Sequence, residues 1–410
     1  MMKKDTIRVI MLFTILLILI FSLAGFKNIV SEGSEVEDNF FILAAAIDES
    51  TENSGNVRLT VLSRSFEENS AEKSTTNTAG SSNTKSKTFT AEGSSVLDAT
   101  RNLSAIADKH IFWSHIRYIL ISEEVARKDV LDFLDFINRD LEIRFDAHMF
   151  VVKGLMAKKI FDEEIENGRF TPDILKGLLT NSIHLSFSRG IKVREILINF
   201  ENGLTDVTLP ILQLEYATDK KENKSKSTLN MNGLAVFKGT SLLDFITDET
   251  TLRGVSWITG NVKSGILELK DIHGSGAVFE IIDSQSQIKT SFKNGIPEVT
   301  AIIKLSTNLS EQKSNVSLID KPDIEYLEAE QDKLVKKEAK SAVDFSQVNG
   351  VDILGIGDSI YHKNPLKWTN MKESWKTLYP KIKFNIIVES KINRSYLIQQ
   401  PVESKKYEER

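Results

Sequence analysis

The sequence predicts a multi-domain α+β protein, with mixed sheets each covered by helices on one face and one membrane helix in front. Three observations carry that prediction. Apolar runs of strand length alternate with stretches of 3.6-residue periodicity along the whole chain. The 410 residues are 41% hydrophobic and 27% charged, enough apolar material for several cores at ~150 residues per domain. And the run from Val9 to Phe26 holds no charged side chain.

That run, VIMLFTILLILIFSLAGF, would make a helix roughly 27 Å long, close to one hydrocarbon core. Lys3, Lys4 and Arg8 precede it, while Glu32, Glu35, Glu37 and Asp38 follow shortly after. Positive charge before and acids after put the N-terminus in the cytoplasm and the body outside. An uncleaved single span is the first expectation. A cleaved signal, after the small-x-small pattern Ser22 to Ala24, and a buried core helix are the alternatives.

Residues 27–39 form a polar linker. Phe40–Ile47 (FFILAAAI) reads as a buried strand and Val57–Leu62 as an alternating one, paired through a turn near Glu52–Gly55. Residues 67–84 are Ser, Thr, Asn, Glu and Lys with little apolar content, a solvated loop. Ser95 and Asp98 outline a helix start. Ile116–Ile121 is a second buried strand, a helix follows from Glu123, and Asp146–Val152 is a third strand. Thr171 and Pro172 supply a cap oxygen and a proline at the first helical position. A helix over 191–200 stops at Gly203.

Val207–Leu214 and Leu229–Phe237 read as strands around a charged hairpin loop. From 262 onward strand signals dominate, with Lys293–Gly295 as a turn between two of them. Pro322 opens a long amphipathic helix, 366–379 is another helix candidate, and Lys383–Glu389 is a last strand. The implied division is 1–30 as hydrophobic anchor or signal, 31–168 as a first α/β domain, and 169–270 and 271–410 as α+β domains. Residue 228 serves almost as well as 270 for the second boundary.

A net charge of −5 spread over the length argues against a nucleic-acid binder, which would show a basic face. The absence of cysteine excludes disulfides, thiol catalysis, thiolate metal sites and acylation on sulfur. His110, His115, His148, His184, His273 and His362 form no HxxxH or HExxH pair. There is no GxSxG elbow, P-loop or dinucleotide turn. Gly350, Gly355 and Gly357 read as a tight junction at a helix end. The acids Asp132, Asp135, Asp140 and Glu142 are interleaved with Arg139 and Arg144, the pattern of a salt-bridged corner. No catalytic residue, cofactor or metal site is assigned, and the expectation is a non-enzyme.

Several of these stretches, in order, resemble the Ger(x)C family: the C subunit, usually a lipoprotein, of spore germination nutrient receptors. They begin at Leu23, Ala24 and Gly25, followed by the acidic stretch Glu35–Asp38 and a strand ending in Ile47 and Asp48. Phe112, Trp113, Ser114 and His115 come next, before an apolar strand. Arg139, Asp140 and Arg144 resemble the family's Arg-Asp…Arg segment. Gly233, Phe237 and Lys238 lie in its second signature, and Trp368 with Trp375 in its third. The resemblance implies a three-domain α+β subunit on the outer face of the spore inner membrane. It also implies polytopic A and B subunits as partners, and no carried-over catalysis. Direct capture of a small-molecule germinant is the alternative. Phe26 stands where the family has its lipidated cysteine, so the hydrophobic helix is the expected attachment.

Overall fold

The computed structural model describes residues 11, 13–16, 39–65, 85–139, 142–185, 189–219, 224–313, 318 and 320–393. The expected membrane helix therefore falls largely outside the described residues; Met11 and residues 13–16 are helical. Among the described residues, no helix is long and apolar enough to cross a membrane. The expected loop at 67–84 and the motif residues Phe26 and Asp140 also lie outside them.

The first part runs β1 (Asn39–Phe41), β2 (Ala44–Glu49), β3 (Val57–Ser65), β4 (Lys85–Gly93), α1 (Val96–Ile106) and β5 (His110–Phe112). Then come β6 (Tyr118–Ser122), α2 (Glu123–Arg127), α3 (Leu131–Arg139), β7 (His148–Val152), α4 (Ala157–Glu166), α5 (Thr171–Leu185) and α6 (Val193–Asn202). Next are β8 (Thr208–Asp219), β9 (Lys224–Asn230), β10 (Leu234–Lys238), β11 (Ser241–Ile246) and α7 (Glu249–Thr259). The chain ends with β12 (Ile266–Lys270), β13 (Gly276–Lys293), β14 (Ile296–Gln312), α8 (Lys321–Asn349), α9 (Ile356–Lys363), α10 (Pro365–Met371), α11 (Trp375–Leu378) and β15 (Lys383–Asn393).

One sheet has nine strands in the order β11-β10-β8-β7-β6-β2-β3-β4, with β9 pairing β8. Its centre is parallel: β2 with β6, β6 with β7 and β7 with β8. Side chains there alternate between two cores. Ala45, Ile47, Ile119, Ile121, Met149 and Val151 face α1, α3 and α6, whereas Ala44, Ala46, Leu120, Phe150 and Val152 face α4 and α5. This corrects the expectation of helices on one face only. Parallel strands need crossover connections, those crossovers are helices on both faces, and the strand sequences are accordingly apolar on both sides.

The second main sheet has four strands in the order β12-β13-β14-β15. Here one-sided cover holds. Val299, Ile303, Leu305 and Ile386 pack under α7 and α8, with Leu252, Val255, Leu327, Val335 and Ala339 opposite. On the other face Gln287, Ile302 and Ile387 lie in register across β13, β14 and β15. The β13–β14 hairpin turns at Asn294 and Gly295, with φ of 51° and 79°, the left-handed pair that a two-residue hairpin turn requires. So the long strands come from one Asn-Gly turn inside a strongly alternating sequence.

Helix packing in this unit is close. A Cβ on Gly254 would stand 2.0 Å from the Glu338 carbonyl oxygen, so α7 and α8 touch backbone to backbone there. Beside it the buried Glu338 carboxylate accepts the Trp257 indole N–H at 2.6 Å and pairs with Arg253 at 3.1 Å. Arg253 in turn donates to the Ile266 carbonyl at 2.9 Å, which ties α7, α8 and β12 into one block.

Candidate functional site

The junction between the two sheets is built around two carboxylates that lie far apart in sequence. Asp206 precedes β8 and Asp352 lies in the short loop between α8 and α9. The Asp206 N–H donates to the Asp352 carbonyl at 2.9 Å, and the Asp352 N–H donates to Asp206 Oδ2 at 2.6 Å. The Asp352 carboxylate accepts the N–H groups of Ile356 at 3.0 Å and Gly357 at 2.6 Å, the open donors at the start of α9. Burial pushes its pKa up to about 7; the helix N–H groups oppose that rise and the neighbouring Asp206 adds to it. Asp206 is raised too, chiefly by burial, while Lys376 and Lys238 partly offset the shift.

The loop geometry follows from its glycines. Gly350 ends α8 at φ 63°, and Gly355 enters α9 at φ 73°. The glycine cluster is thus a helix–loop–helix junction. Gly357 is required for another reason. A Cβ there would lie 2.4 Å from the Leu204 carbonyl oxygen and 2.7 Å from the Trp368 ring.

Two of the sequence motifs meet at this junction. Gly233 has φ 131°, and a Cβ on it would stand 2.8 Å from both the Ile211 side chain and the Ile246 carbonyl. Phe237 is fully buried in the first sheet. Lys238 Nζ donates to the Asn349 carbonyl at 2.9 Å, tying β10 to the last residue of α8. Trp368 and Trp375 are both buried, edge to face at 5.1 Å, and Trp375 continues to Tyr379 at 5.5 Å. The Tyr379 hydroxyl meets Ser346, whose Oγ also donates to the Val351 carbonyl. Burial holds that phenol well above the ordinary tyrosine pKa.

The other two motifs lie elsewhere, at the start of the parallel strands. Phe112 closes β5, its ring 5.6 Å from Phe41 and edge on. Trp113 is buried against Phe136 at 6.2 Å. His115 is exposed, its ring 5.0 Å from Phe41. Arg139 is exposed and pairs one turn back with Asp135 at 2.7 Å. Arg144 is exposed and lies 3.6 Å from Asp146.

A cavity of about 570 Å³ opens at the junction, with Ile183, Asn199, Asp206, Ser256, Thr259 and Ile353 among its walls. Its size falls in the range of small-molecule sites. Sequence reasoning passed over Asp206 and Asp352, because single acids in loops read as solvated. The available signal was Asp352 standing just before a glycine-spaced apolar helix start. Among the described residues, no group of three or more His, Asp or Glu side chains is arranged to hold a metal ion.

Residues 32–214 match the family model described as spore germination protein N-terminal domain. Residues 232–396 match the one described as spore germination B3/GerAC like, C-terminal. Spore germination protein KC of Bacillus subtilis (strain 168) is 24% identical over 333 residues, which is 77% of this chain and 80% of that protein. The crystal structure of the GerBC protein aligns with a TM-score of 0.55 at 20% identity, covering 85% of this chain and 96% of that one. The fold is therefore shared with GerBC.

Proposed function

Because the chain belongs to the Ger(x)C family of germinant-receptor C subunits involved in spore germination, we propose that it is a non-enzymatic, membrane-anchored subunit of such a receptor. It works through contacts with the polytopic A and B subunits, its body on the outer face of the spore inner membrane. One observation carries the reading: both family models match, in order, on either side of the junction. The chemistry of the junction agrees with it. The Asp352 carboxylate is spent on helix N–H groups and the two tryptophans on packing, which leaves these groups holding one half of the protein on the other.

The hydrophobic stretch 9–26 supplies the anchor in this reading, with Phe26 in the place of the lipidated cysteine. Purification of the tagged full chain from spore membranes in mild detergent tests it. The A and B subunits are expected to come with it in stoichiometric amounts. Their absence, with the chain itself recovered intact, would sink the proposal.

The 570 Å³ cavity favours a second reading, in which the protein itself captures the germinant at the junction. Calorimetric titration of the detergent-solubilised full chain with germinants separates the two. A saturable heat that Thr259→Trp abolishes would favour capture; no heat leaves the subunit reading standing alone.

A further inference from the structure

A second cavity, of about 270 Å³, opens at the N-terminal end of the parallel strands. Its walls carry His115, Arg117, Arg144, Asp146, His148 and Lys192. The backbone brings these groups together. Tyr118 and His148, the first residues of β6 and β7, are register partners. The His148 N–H donates to the Arg117 carbonyl at 2.8 Å, and Lys192 bridges antiparallel to His148. Arg117 and Lys192 therefore stand on segments bonded to the start of β7, and Arg144 lies in the loop that leads into that strand.

The charge at this end of the sheet is unbalanced. Asp146 is the one carboxylate in the cavity wall, and at 3.6 Å from Arg144 it makes a loose pair. Among the described residues, the side chains of Arg117 and Lys192 have no acidic partner. His148 Nδ1 is buried with no hydrogen-bond partner, beside a Gly190 whose Cβ would come within 2.8 Å of it. Like charges fixed side by side cost stability unless an anion neutralises them. Guanidinium forks and an ammonium are the donors that phosphate oxygens take best.

We propose that this cavity is a binding site for a phosphate oxyanion, held by Arg117, Arg144 and Lys192, with the His115 and His148 rings at its side. Three permanent cations against one carboxylate match the charge of a phosphate ester. The volume is just below the ~300 Å³ at which drug-sized sites begin, so it takes a phosphate and a few atoms more. Two sources share that chemistry, a free phosphate and a lipid headgroup. The anchored reading favours the second, because the described fold resumes at Asn39, four residues before Leu43, whose carbonyl accepts the Arg117 N–H at 3.0 Å. The site stands on its own side chains and does not depend on the receptor reading.

The test uses the full chain in nonionic detergent and follows the histidine ring resonances by NMR in phosphate-free buffer. Inorganic phosphate is one probe; micelles doped with phosphatidylglycerol, against phosphatidylcholine, are the other. A saturable shift of the His148 ring, with its titration midpoint moved upward, is the expected response, because an adjacent anion favours imidazolium. Burial and Lys192 hold that midpoint below the ordinary histidine value, against the opposing pull of Glu195 and Asp146. Arg117→Gln with Lys192→Gln should weaken binding at least tenfold, and Arg139→Gln should leave it unchanged. A response to phosphate assigns the free ion, and a response to phosphatidylglycerol alone assigns the headgroup; both support the site. If the double variant melts early, Arg144→Gln replaces it, since that side chain is exposed. No shift with either probe, or an equal shift in the variants, would overturn the proposal.

Discussion

The two main sheets bury their surfaces differently. The nine-stranded sheet is a wall between two cores, and its central strands are apolar on both sides. The four-stranded sheet has one core, under α7 and α8, and a free face whose exposed pairs include Lys304 with Glu389 at 2.7 Å. The cause is connectivity. The three consecutive parallel pairs at the centre of the first sheet are joined through helices on both faces, whereas β12, β13 and β14 are antiparallel neighbours and the parallel pair β14–β15 is joined through α8 on the covered face. What this teaches is where each half tolerates change: the first sheet on neither face, the second on one.

The sharpest way to break that comparison uses neighbouring residues. Lysine at Ile119 or at Leu120 should cost about 4 kcal/mol or more in either case, because both positions are closed cores. Lysine at Ile386, 8% exposed, should be similarly damaging. Lysine at Ile387, 39% exposed and one residue along, should change stability by no more than about 1 kcal/mol. Chemical denaturation of the four variants reads this directly. Equal losses at Ile386 and Ile387 would mean that the free face is covered in the working protein.

A second contrast concerns the helices. Gly254→Val forces α7 off the Glu338 backbone and should cost about 3 kcal/mol or more. Gly177→Ala, on the exposed side of α5 with nothing within 4 Å, should be neutral or stabilising by up to about 1 kcal/mol. Melting temperatures moving in opposite directions would sharpen the view that α7–α8 packing is backbone-limited whereas α5 packs through its side chains. A Gly254→Val protein with the parent's melting temperature would refute the close approach.

How much of this was legible in the sequence differs between elements for physical reasons. The buried strands announce themselves as apolar runs, Ala44–Ile47 in the first and Tyr118–Ile121 in the second. Ser95, which caps α1 by accepting the Asp98 N–H, is a local signal and reads correctly. β4, KSKTFTAEG, does not, because an edge strand can be mostly polar. The helix Ala157–Glu166 was missed for want of a local cap. Its first N–H groups are taken by Asp48, 109 residues earlier, at 2.6 Å. The junction was missed on the same ground, since the Asp206–Asp352 contact joins residues 146 apart. Local signals carry elements; long-range caps carry the site, and a single sequence does not display them. The motif residues divide in the same way: Trp113, Phe237, Trp368 and Trp375 are buried, whereas His115, Arg139 and Arg144 face solvent.

Asp48 and Asp352 do the same work in the two halves, each carboxylate accepting two N–H groups at a helix start. Burial raises both above the ordinary carboxylate range, but Arg58 faces Asp48 while Asp206 faces Asp352. The linkage therefore differs in size and not in sign. A folded-state pKa above the unfolded value means that the folded protein holds the proton more tightly. The stability this contributes is present in full below the unfolded pKa of ~3.9 and is lost as pH rises through the folded value. For Asp352 that window runs from about 4 to about 7. Asp352→Asn keeps an acceptor for one helix N–H and has no proton to lose. Its melting temperature, measured against pH beside the parent's, should decline less between pH 4 and pH 7, so that the parent loses stability relative to the variant as the pH rises. Asp48→Asn should alter the slope less, because Arg58 offsets part of the burial cost at that site. Parallel profiles for Asp352→Asn and the parent would mean that the junction carboxylate is ionised in the folded protein throughout this range, and that water reaches it.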